Sequence, residues 1–407
     1  MELNHTFLAV FLPTLVFPFV LLFAWVVYQG LSQSEIPSGI DQPMKLRILY
    51  CLMDFSSYLG KILENLCLCS EIHFIRFVQE GRKLRDDPHL NIKDRFFEDI
   101  PVRFYERRRP KPEQNRRAVV YFHGGGFMFG NSHDHICRYI AKESDSVVVS
   151  VGYRLFPEKQ YPSQFKDCLT ATICFMKTAE DYGVDPTRVI ICGDSVGGNF
   201  AASVCQALVG NPDVTQPLAQ ILIYPGLQAL DFNLPSYQQN RAVPILNREQ
   251  VIEIALKYFN RDLSLVDSVV QGRHVPKDFK ERFGKWISSE NIPDEFKARG
   301  FKPHLDSSFA NDVYELVKQG LETTFSPLMA EETVVSRLPR TCIVTCEYDV
   351  LRDDGILYKK RLEDNGVPVT WHHIENGFHG VISFFDGWLA FPSGKKGMDN
   401  IISGISK

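Results

Sequence analysis

The chain has 407 residues, of which 44% are hydrophobic and 23% are charged, and its formal net charge is −4. These proportions are typical of globular proteins and exclude a mainly disordered chain. The small negative charge gives no general attraction to nucleic acid, so we expect no nucleic-acid partner. The ten cysteines form no C-x-x-C pair, which argues against a zinc site, and the sequence leaves open whether any are disulfide-bonded.

An uncharged apolar run at residues 7–28, FLAVFLPTLVFPFVLLFAWVVY, follows a short tail at 1–6. As a helix it would be about 33 Å long, which is enough to cross the ~30 Å hydrocarbon core of a bilayer. The run therefore predicts a single transmembrane signal-anchor. A cleaved signal peptide is the alternative, but this run is longer than the usual apolar region and no Lys or Arg precedes it.

Residues 29–93 follow as a predicted linker with cap helices. Positions 29–43 are polar, whereas apolar residues recur at helical spacing between 44 and 68. We interpret this stripe as a packing face, and a face that lies on the membrane is the alternative.

From about residue 94, short runs of β-branched residues alternate with helical stretches. This alternation predicts an α/β fold with a mainly parallel central sheet and helices on both faces. The segment at about 226–324 breaks the rhythm, which indicates a lid insertion within a domain covering 94–407. The predicted strands are 118–122, 146–151, 188–192, 219–224, 340–345 and 369–374, and the predicted helices are 135–143, 163–182, 199–208 and 355–365.

A G-x-S-x-G pattern at 193–197 lies between a predicted strand and a predicted helix. This context is typical of a nucleophile elbow, in which a tight turn presents a serine above the sheet. Glycine is needed at both ends of the pattern because the turn leaves no room for side chains. A chance match is the alternative, and the strand-to-helix context argues against it. Ser195 is therefore the candidate nucleophile.

A serine hydroxyl is a weak nucleophile and needs a base, which in turn needs an orienting acid. In the elbow architecture the chain order is serine, acid, histidine. Asp349 and His379 each follow a predicted strand, at the edge of the sheet where sites of open α/β folds form. They are the candidate acid and base. Competing acids and histidines lie nearby, namely Asp353, Asp354, His372 and His373, and Asp194 inside the elbow is interpreted as a turn residue.

The stretch YFHGGGFMFG at 121–130 places three glycines directly after a strand. A backbone without Cβ atoms can approach a reacting carbonyl closely and donate N–H groups to its developing oxyanion. Gly125, Gly126 and Val196 are the candidate donors of this oxyanion hole. His123 and Gly124 complete the motif, in which the histidine braces the loop and transfers no proton. A plain glycine loop is the alternative.

These motifs together resemble the hormone-sensitive-lipase group of α/β-hydrolases, and within it the membrane-anchored arylacetamide deacetylase-like esterases. The HGGG loop and the GDSxGG elbow carry most of the likeness. The resemblance implies an α/β-hydrolase fold with a helical cap. It also implies a single-pass type II membrane protein of the endoplasmic reticulum with a lumenal catalytic domain. Further matching stretches lie at 153–158, 185–186, 224–225, 326–328, 349–353 and 377–380.

Three positions depart from the pattern of the group. Val196 replaces the usual Ala, Val350 stands where Pro is common after the acid, and Met128 stands where the deacetylase itself has a Cys. A disulfide that uses this cysteine is therefore absent here. None of the three changes removes a predicted catalytic group.

We therefore predict a serine carboxylesterase or amide hydrolase that acts on lipophilic, uncharged acyl esters or arylacetamides. This chemistry requires no metal and no cofactor, and we expect neither. A catalytically silent ligand-binding protein of the same fold is one alternative, since fold does not fix function. The retained serine, acid and histidine argue against it. A neutral lipase with a large acyl pocket is the other alternative. The sequence of the lid does not decide between a lipase and an esterase or amide hydrolase.

Overall fold

The computed structural model describes residues 2–33, 36–80, 86–109, 114–130, 133–304 and 307–407, and for residues 2–16, 33 and 80 only the backbone is described. Its strands β1 to β8 span Leu90–Phe97, Ile100–Arg107, Arg116–Phe122, Val147–Val151, Val184–Asp194, Ala219–Ile223, Arg340–Tyr348 and Val369–Phe378. Its helices α1 to α14 span Glu2–Gln33, Pro43–Asn65, Glu71–Glu80, Asp134–Glu143, Ser163–Lys177, Val196–Leu208, Pro235–Gln239, Arg248–Tyr258, Val266–Val270, Lys277–Phe283, Asn311–Val317, Glu332–Val335, Arg352–Asp364 and Pro392–Ser406.

The strands form one sheet in the order β1-β2-β4-β3-β5-β6-β7-β8. Strands β3 to β8 pair in parallel, whereas β2 pairs antiparallel with both β1 and β4. The prediction of a mainly parallel sheet is therefore confirmed, and each of the six predicted strands is present. Strands β1 and β2 were not predicted, because β1 carries mostly polar, exposed side chains at the sheet edge and lacks a continuous apolar run.

Alternate side chains of the central strands enter two separate cores. In β3, Val120 and Phe122 pack with α5, α6 and α13, whereas Val119 and Tyr121 pack with α4 and α14. Both faces of the sheet must be apolar because successive side chains of a strand point to opposite faces. This explains the continuous apolar runs in the sequence and confirms the prediction of helices on both faces.

Helices α7 to α12 occupy the chain between β6 and β7, where the insertion at about 226–324 was predicted. Buried side chains of α8, including Ile252 and Leu256, join the same apolar cluster as α6. These helices therefore pack directly on the sheet domain. That helices α7 to α12 form a lid separate from the sheet domain stays a prediction.

The N-terminal helices precede the sheet. Helix α1 contacts α2 through edge-to-face ring pairs, Phe23 with Phe55 and Trp25 with Tyr58. Leu46 and Leu49 of α2 are buried in the core on the α4–α14 side, whereas Leu52, Met53 and Ile62 of the same stripe are 39–42% exposed. The interpretation of the stripe at 44–68 as a packing face therefore fits only its first part.

The predicted anchor at 7–28 includes side chains that lie outside the described residues. Among the residues that are described, none of the helices is both long enough and apolar enough to cross a membrane. The anchor therefore stays a prediction.

All ten cysteines lie in the described part of the chain, and each of them is a free thiol. Cys192, Cys205 and Cys346 are among the buried ones. They fill space in the core as small apolar side chains. The question of disulfides, which the sequence left open, is thereby answered for this structure.

Candidate active site

Ser195 occupies the sharp turn between β5 and α6, with φ 56° and ψ −122°. A non-glycine residue with positive φ is uncommon and is held here by its neighbours. A Cβ atom on Gly193 would lie 2.8 Å from the carbonyl oxygen of Phe122, and one on Gly197 would lie 2.7 Å from that of His123. Only glycine fits at both positions, as the motif predicted.

A continuous hydrogen-bonded chain runs from Ser195 to Asp349. The hydroxyl of Ser195 lies 2.9 Å from Nε2 of His379. On the other side of the ring, Nδ1 lies 2.8 Å from Oδ2 of Asp349. Because a carboxylate only accepts, Nδ1 donates and Nε2 is left with a lone pair towards the serine. The structure thus brings together the three residues that the sequence predicted as nucleophile, base and acid.

The topology of the sheet explains why these three side chains lie close together. Ser195, Asp349 and His379 follow the carboxyl ends of the parallel strands β5, β7 and β8, which lie within four adjacent positions of the sheet. Asp349 is 1% exposed and His379 is 7% exposed. In the dry surroundings of such a site, electrostatic interactions are stronger than in water.

The turn that carries Asp349 is held from two sides. The backbone N–H of Leu351 donates to Oδ1 of Asp349 at 2.8 Å, which leaves Oδ2 for the histidine. From the segment after α7, the side chain of Asn240 donates to the carbonyl oxygen of Asp349 at 3.0 Å. Ser236 in α7 donates to the next carbonyl, that of Val350, at 2.6 Å. Sequence reasoning missed Asn240 and Ser236, since nothing in their local sequence marks them.

The two competing acids and His373 have other partners, whereas Nε2 of His372 is buried without a hydrogen-bond partner in the described part of the chain. Asp353 pairs with the buried Arg352, and Asp354 accepts from the N–H of Leu227 at 2.8 Å. His373 lies 3.2 Å from Glu347. None of these side chains is in the Ser195 chain. Within the described ranges, no group of three or more His, Cys, Asp or Glu side chains is placed to hold a metal ion.

The glycine loop after β3 contains two glycines with left-handed backbone. Gly125 and Gly126 have φ values of 106° and 60°, which favour glycine. The N–H of Gly124 donates to Oδ1 of Asp194 at 2.9 Å and is therefore occupied. The N–H groups of Met128 and Phe129 both donate to the carbonyl of Gly125, at 3.1 and 3.0 Å, which closes the loop into a turn.

His123 braces this loop through a backbone contact and a ring stack. Its Nδ1 lies 2.7 Å from the carbonyl oxygen of Gly124, and its ring stacks on Tyr153 with centroids 4.1 Å apart. Burial, reinforced by the nearby positive charge of His133, lowers the pKa of His123 to about 4. The ring is therefore neutral at pH 7, in keeping with a bracing role and not a proton-transfer role.

Asp194 links the elbow to the glycine loop. Besides Gly124, it accepts from the hydroxyl of Tyr121 at 2.6 Å, and its Oδ2 lies 3.3 Å from Nε2 of His133. Burial alone would raise the pKa of Asp194, but the charge of His133 and these hydrogen bonds outweigh it and lower the pKa. The negative charge of Asp194 in turn raises the pKa of His133 against its own burial. Sequence reasoning interpreted Asp194 as a turn residue, whereas the structure places it at the end of β5, directly before the turn. It missed Tyr121 and His133.

Helix α8 of the insertion covers the glycine loop. Phe127 stacks on Tyr258 with ring centroids 3.9 Å apart and planes 8° apart. A Cβ atom on Gly126 would lie 3.4 Å from Ile254. Apolar side chains of the insertion thus lie directly against the residues that were predicted to donate to an oxyanion.

Comparison with known proteins agrees with this geometry. A family model described as the alpha/beta hydrolase fold (Abhydrolase_3) matches residues 119–278 and 296–383. Arylacetamide deacetylase-like 3 of Mus musculus is 47% identical, over 94% of this chain and 94% of the relative. Neutral cholesterol ester hydrolase 1 of Mus musculus is 36% identical, over 86% of this chain and 88% of the relative.

Among solved structures, EstE1 is a thermophilic and thermostable carboxylesterase cloned from a metagenomic library. It matches with a TM-score of 0.61 and 25% identity, over 83% of this chain and 94% of that chain. Identity to the curated relatives extends well beyond the sheet, over most of the chain. The chain therefore belongs to the α/β-hydrolase family and, within it, to the arylacetamide deacetylase-like group of the hormone-sensitive-lipase class.

Proposed function

We propose that this chain is a serine carboxylesterase and amide hydrolase that acts on lipophilic, uncharged acyl substrates. Its family makes it a carboxylic ester hydrolase. The observation that carries the finer proposal is the hydrogen-bonded chain from Ser195 through His379 to Asp349, with heavy-atom distances of 2.9 and 2.8 Å. This geometry suits a serine nucleophile with a general base and an orienting carboxylate.

The reaction begins when His379 takes the hydroxyl proton of Ser195 on Nε2 as the oxygen attacks the substrate carbonyl. The new oxyanion accepts hydrogen bonds from the N–H groups of Gly125, Gly126 and Val196. His379 then gives its proton to the departing alcohol or amine, which leaves an acyl-enzyme. A water molecule, deprotonated by the same ring, attacks the acyl carbon. The bond from that carbon to the oxygen of Ser195 then breaks, the carboxylic acid leaves, and His379 returns the proton to the serine oxygen. Asp349 stays ionised and stabilises the imidazolium in both halves.

The substrate class is supported by the surroundings of the loop. Ile254, which is partly exposed, places an apolar side chain beside the proposed oxyanion donor Gly126. The stacked Phe127 and Tyr258, which follow in the loop and in helix α8, are buried. Each methylene buried on such a surface contributes roughly 0.8 kcal/mol. The names of two relatives also support a lipophilic, uncharged substrate. One relative is named arylacetamide deacetylase-like 3 and the other neutral cholesterol ester hydrolase 1.

We further propose that residues 7–28 anchor the chain in a membrane as a single-pass type II protein, with the catalytic domain in the lumen of the endoplasmic reticulum. The uncharged run supports the anchor, and the resemblance to membrane-anchored esterases supports the orientation. An anchored enzyme meets lipophilic esters where they concentrate. We also retain the predicted domain division, in which a linker with cap helices at 29–93 follows the anchor and a hydrolase domain at 94–407 contains the lid insertion at about 226–324.

Ser195→Ala should abolish hydrolysis of nitrophenyl esters and leave the thermal unfolding temperature close to that of the wild type, because the substitution removes only the attacking oxygen. Ser203→Ala, in the helix α6 that follows Ser195, is the matched control. It loses one hydrogen bond, to the carbonyl of Thr324 at 3.1 Å, and should keep its activity. Substantial hydrolysis by Ser195→Ala would contradict the assignment. An inactive wild type would instead favour the silent ligand-binding alternative.

Asp349→Asn should lower kcat by about 10⁴-fold, because an amide stabilises the wrong histidine tautomer and cannot offset the imidazolium charge. Asp354→Asn is the control among the competing acids. Burial raises the pKa of Asp354 to about 7, so a neutral amide imitates a form that this side chain already adopts. Its kcat should stay within a few fold of the wild type. Equal losses in both variants would show that Asp349 is not the orienting acid.

A series of nitrophenyl esters tests the apolar substrate class. Each methylene beyond acetyl should raise kcat/KM by about fourfold, the equivalent of ~0.8 kcal/mol, until the acyl pocket is full. Charged acyl groups such as succinyl should be poor substrates, because burying a charge without a partner is costly. A flat series, or a preference for succinyl over butyryl, would refute the apolar pocket. A rise that continues to long chains would favour the neutral lipase.

Carbonate washing of membranes that carry the full chain tests the anchor. The protein should stay in the membrane pellet, and its N-terminal peptide should begin at Met1 or Glu2. A chain variant with three Lys residues in place of Leu12, Val16 and Val20 should be released, because each charge in the hydrocarbon core is strongly unfavourable. A secreted wild-type chain that starts near residue 30 would identify the run as a cleaved signal peptide.

A further inference from the structure

One guanidinium joins the N-terminal helices to the glycine loop. Arg76 projects from α3, and its side chain is 12% exposed. Its Nε donates to the carbonyl oxygen of Met128 at 2.7 Å, and its Nη2 donates to that of Phe156 at 2.5 Å. Nη1 and Nη2 also contact the carboxylate of Glu158, at 2.6 and 3.2 Å. Four donor contacts therefore reach two separate segments of the hydrolase domain.

Both backbone acceptors belong to the structure that shapes the glycine loop. Met128 ends the turn in which its own N–H donates to Gly125 at 3.1 Å. The N–H of Phe156 donates to the carbonyl of Phe127 at 2.9 Å, so the segment that contains Phe156 is paired with the loop. Arg76 thus holds the loop and the segment beside it at a fixed spacing.

The loop needs such support because its backbone is locally unfavourable. Phe127 has φ 64°, a left-handed value that a residue with a Cβ adopts only when its surroundings impose it. Gly125 and Gly126 precede it and have the largest conformational freedom to lose. An N–H group that is displaced by a fraction of an ångström stabilises the oxyanion much less, because its hydrogen bond is no longer well aligned.

The base from which Arg76 extends is itself fixed. A Cβ atom on Gly60 of α2 would lie 3.2 Å from the Cα atom of Glu71, so α2 and α3 are in close backbone contact. Ser57 of α2 also donates to the carboxylate of Glu71. The N-terminal helices therefore form a firm support from which a planar guanidinium reaches the loop. A lysine could supply charge there, but not the same fork of fixed donors.

From this geometry we propose that Arg76 is a positioning residue for the reaction, holding the Gly125–Gly126 donors in place from outside the hydrolase sheet. The proposal rests on the proposed serine-hydrolase function. It makes the helices after the predicted anchor part of the catalytic apparatus, acting through the loop and without touching the substrate. The affected step is stabilisation of the oxyanion, so the effect falls on kcat.

The test compares Arg76→Ala, Arg76→Lys and the control Arg47→Ala in the full chain. Arg47 joins α2 to α1 through the carbonyl of Gly30 at 2.7 Å and lies in a different part of the N-terminal helices. We expect Arg76→Ala to lower kcat by about tenfold or more, approaching the ~10²–10³ that loss of one oxyanion donor costs, with KM within about twofold. Arg76→Lys should fall between Arg76→Ala and the wild type. Arg47→Ala should keep the wild-type kcat.

Adding guanidinium ion, at a concentration well below the one that unfolds the protein, gives a further test. If Arg76 had a purely structural role, this addition would not change the kcat of Arg76→Ala. It should restore part of the kcat of Arg76→Ala and leave Arg47→Ala unchanged. Wild-type kcat in Arg76→Ala, a loss confined to KM, or a loss without rescue that follows the thermal unfolding temperature would each overturn the proposal. If Arg76→Ala does not fold, wild-type kcat in Arg76→Lys overturns it in the same way.

The experiment distinguishes a failure of the Arg76 proposal from a failure of the proposed serine-hydrolase function. Wild type and Arg47→Ala must hydrolyse the ester, and Ser195→Ala must not. If that pattern fails, the serine-hydrolase function fails whatever Arg76 does. If the pattern holds while the Arg76 variants behave like the wild type, only the positioning role fails.

Discussion

Close backbone contact between the end of β3 and the turn after β5 is the constraint on which the site depends. A Cβ atom on Gly197 would lie 2.7 Å from the carbonyl oxygen of His123, and one on Gly124 would lie 3.0 Å from that of Asp194. These neighbouring parallel strands therefore bring the nucleophile turn and the glycine loop into backbone contact, and the carboxylate of Asp194 links the two. In the proposed mechanism, the oxygen of Ser195 and the N–H groups of the loop then act on one carbonyl group.

Such an arrangement has to be held against the conformational freedom of three glycines, and the chain holds the loop from several directions. Asp194 accepts the N–H of Gly124 from the elbow side, and the ring of His123, stacked on Tyr153, lies against the loop. Tyr258 of the insertion stacks on Phe127. We infer that Arg76 completes this set from the N-terminal helices. Preorganised donors of this kind cost no reorganisation when charge develops, which is the usual source of a large catalytic effect.

Much of this could be predicted from the sequence, because the deciding signals are local. The apolar runs of β3 and β5 reveal a sheet that is buried on both faces, and the glycines at 193 and 197 reveal the turn. Asp349 and His379 are predictable because parallel topology places the ends of successive strands at one edge. The residues that sequence reasoning missed depend on distant pairings. Asn240 contacts a carbonyl 109 positions away, and Arg76 contacts one 52 positions away.

The proposed function depends on the hydroxyl of Ser195, activated by His379, as the attacking group. It can be tested by reacting the wild-type chain with a fluorophosphonate and mapping the modified residue by mass spectrometry of its peptides. We expect a single stoichiometric adduct on Ser195. We also expect that unfolding the chain before the reaction prevents the adduct, because activation depends on the folded contact of 2.9 Å with His379. An adduct on a different serine of the folded chain, or none on Ser195, would show that Ser195 is not the nucleophile.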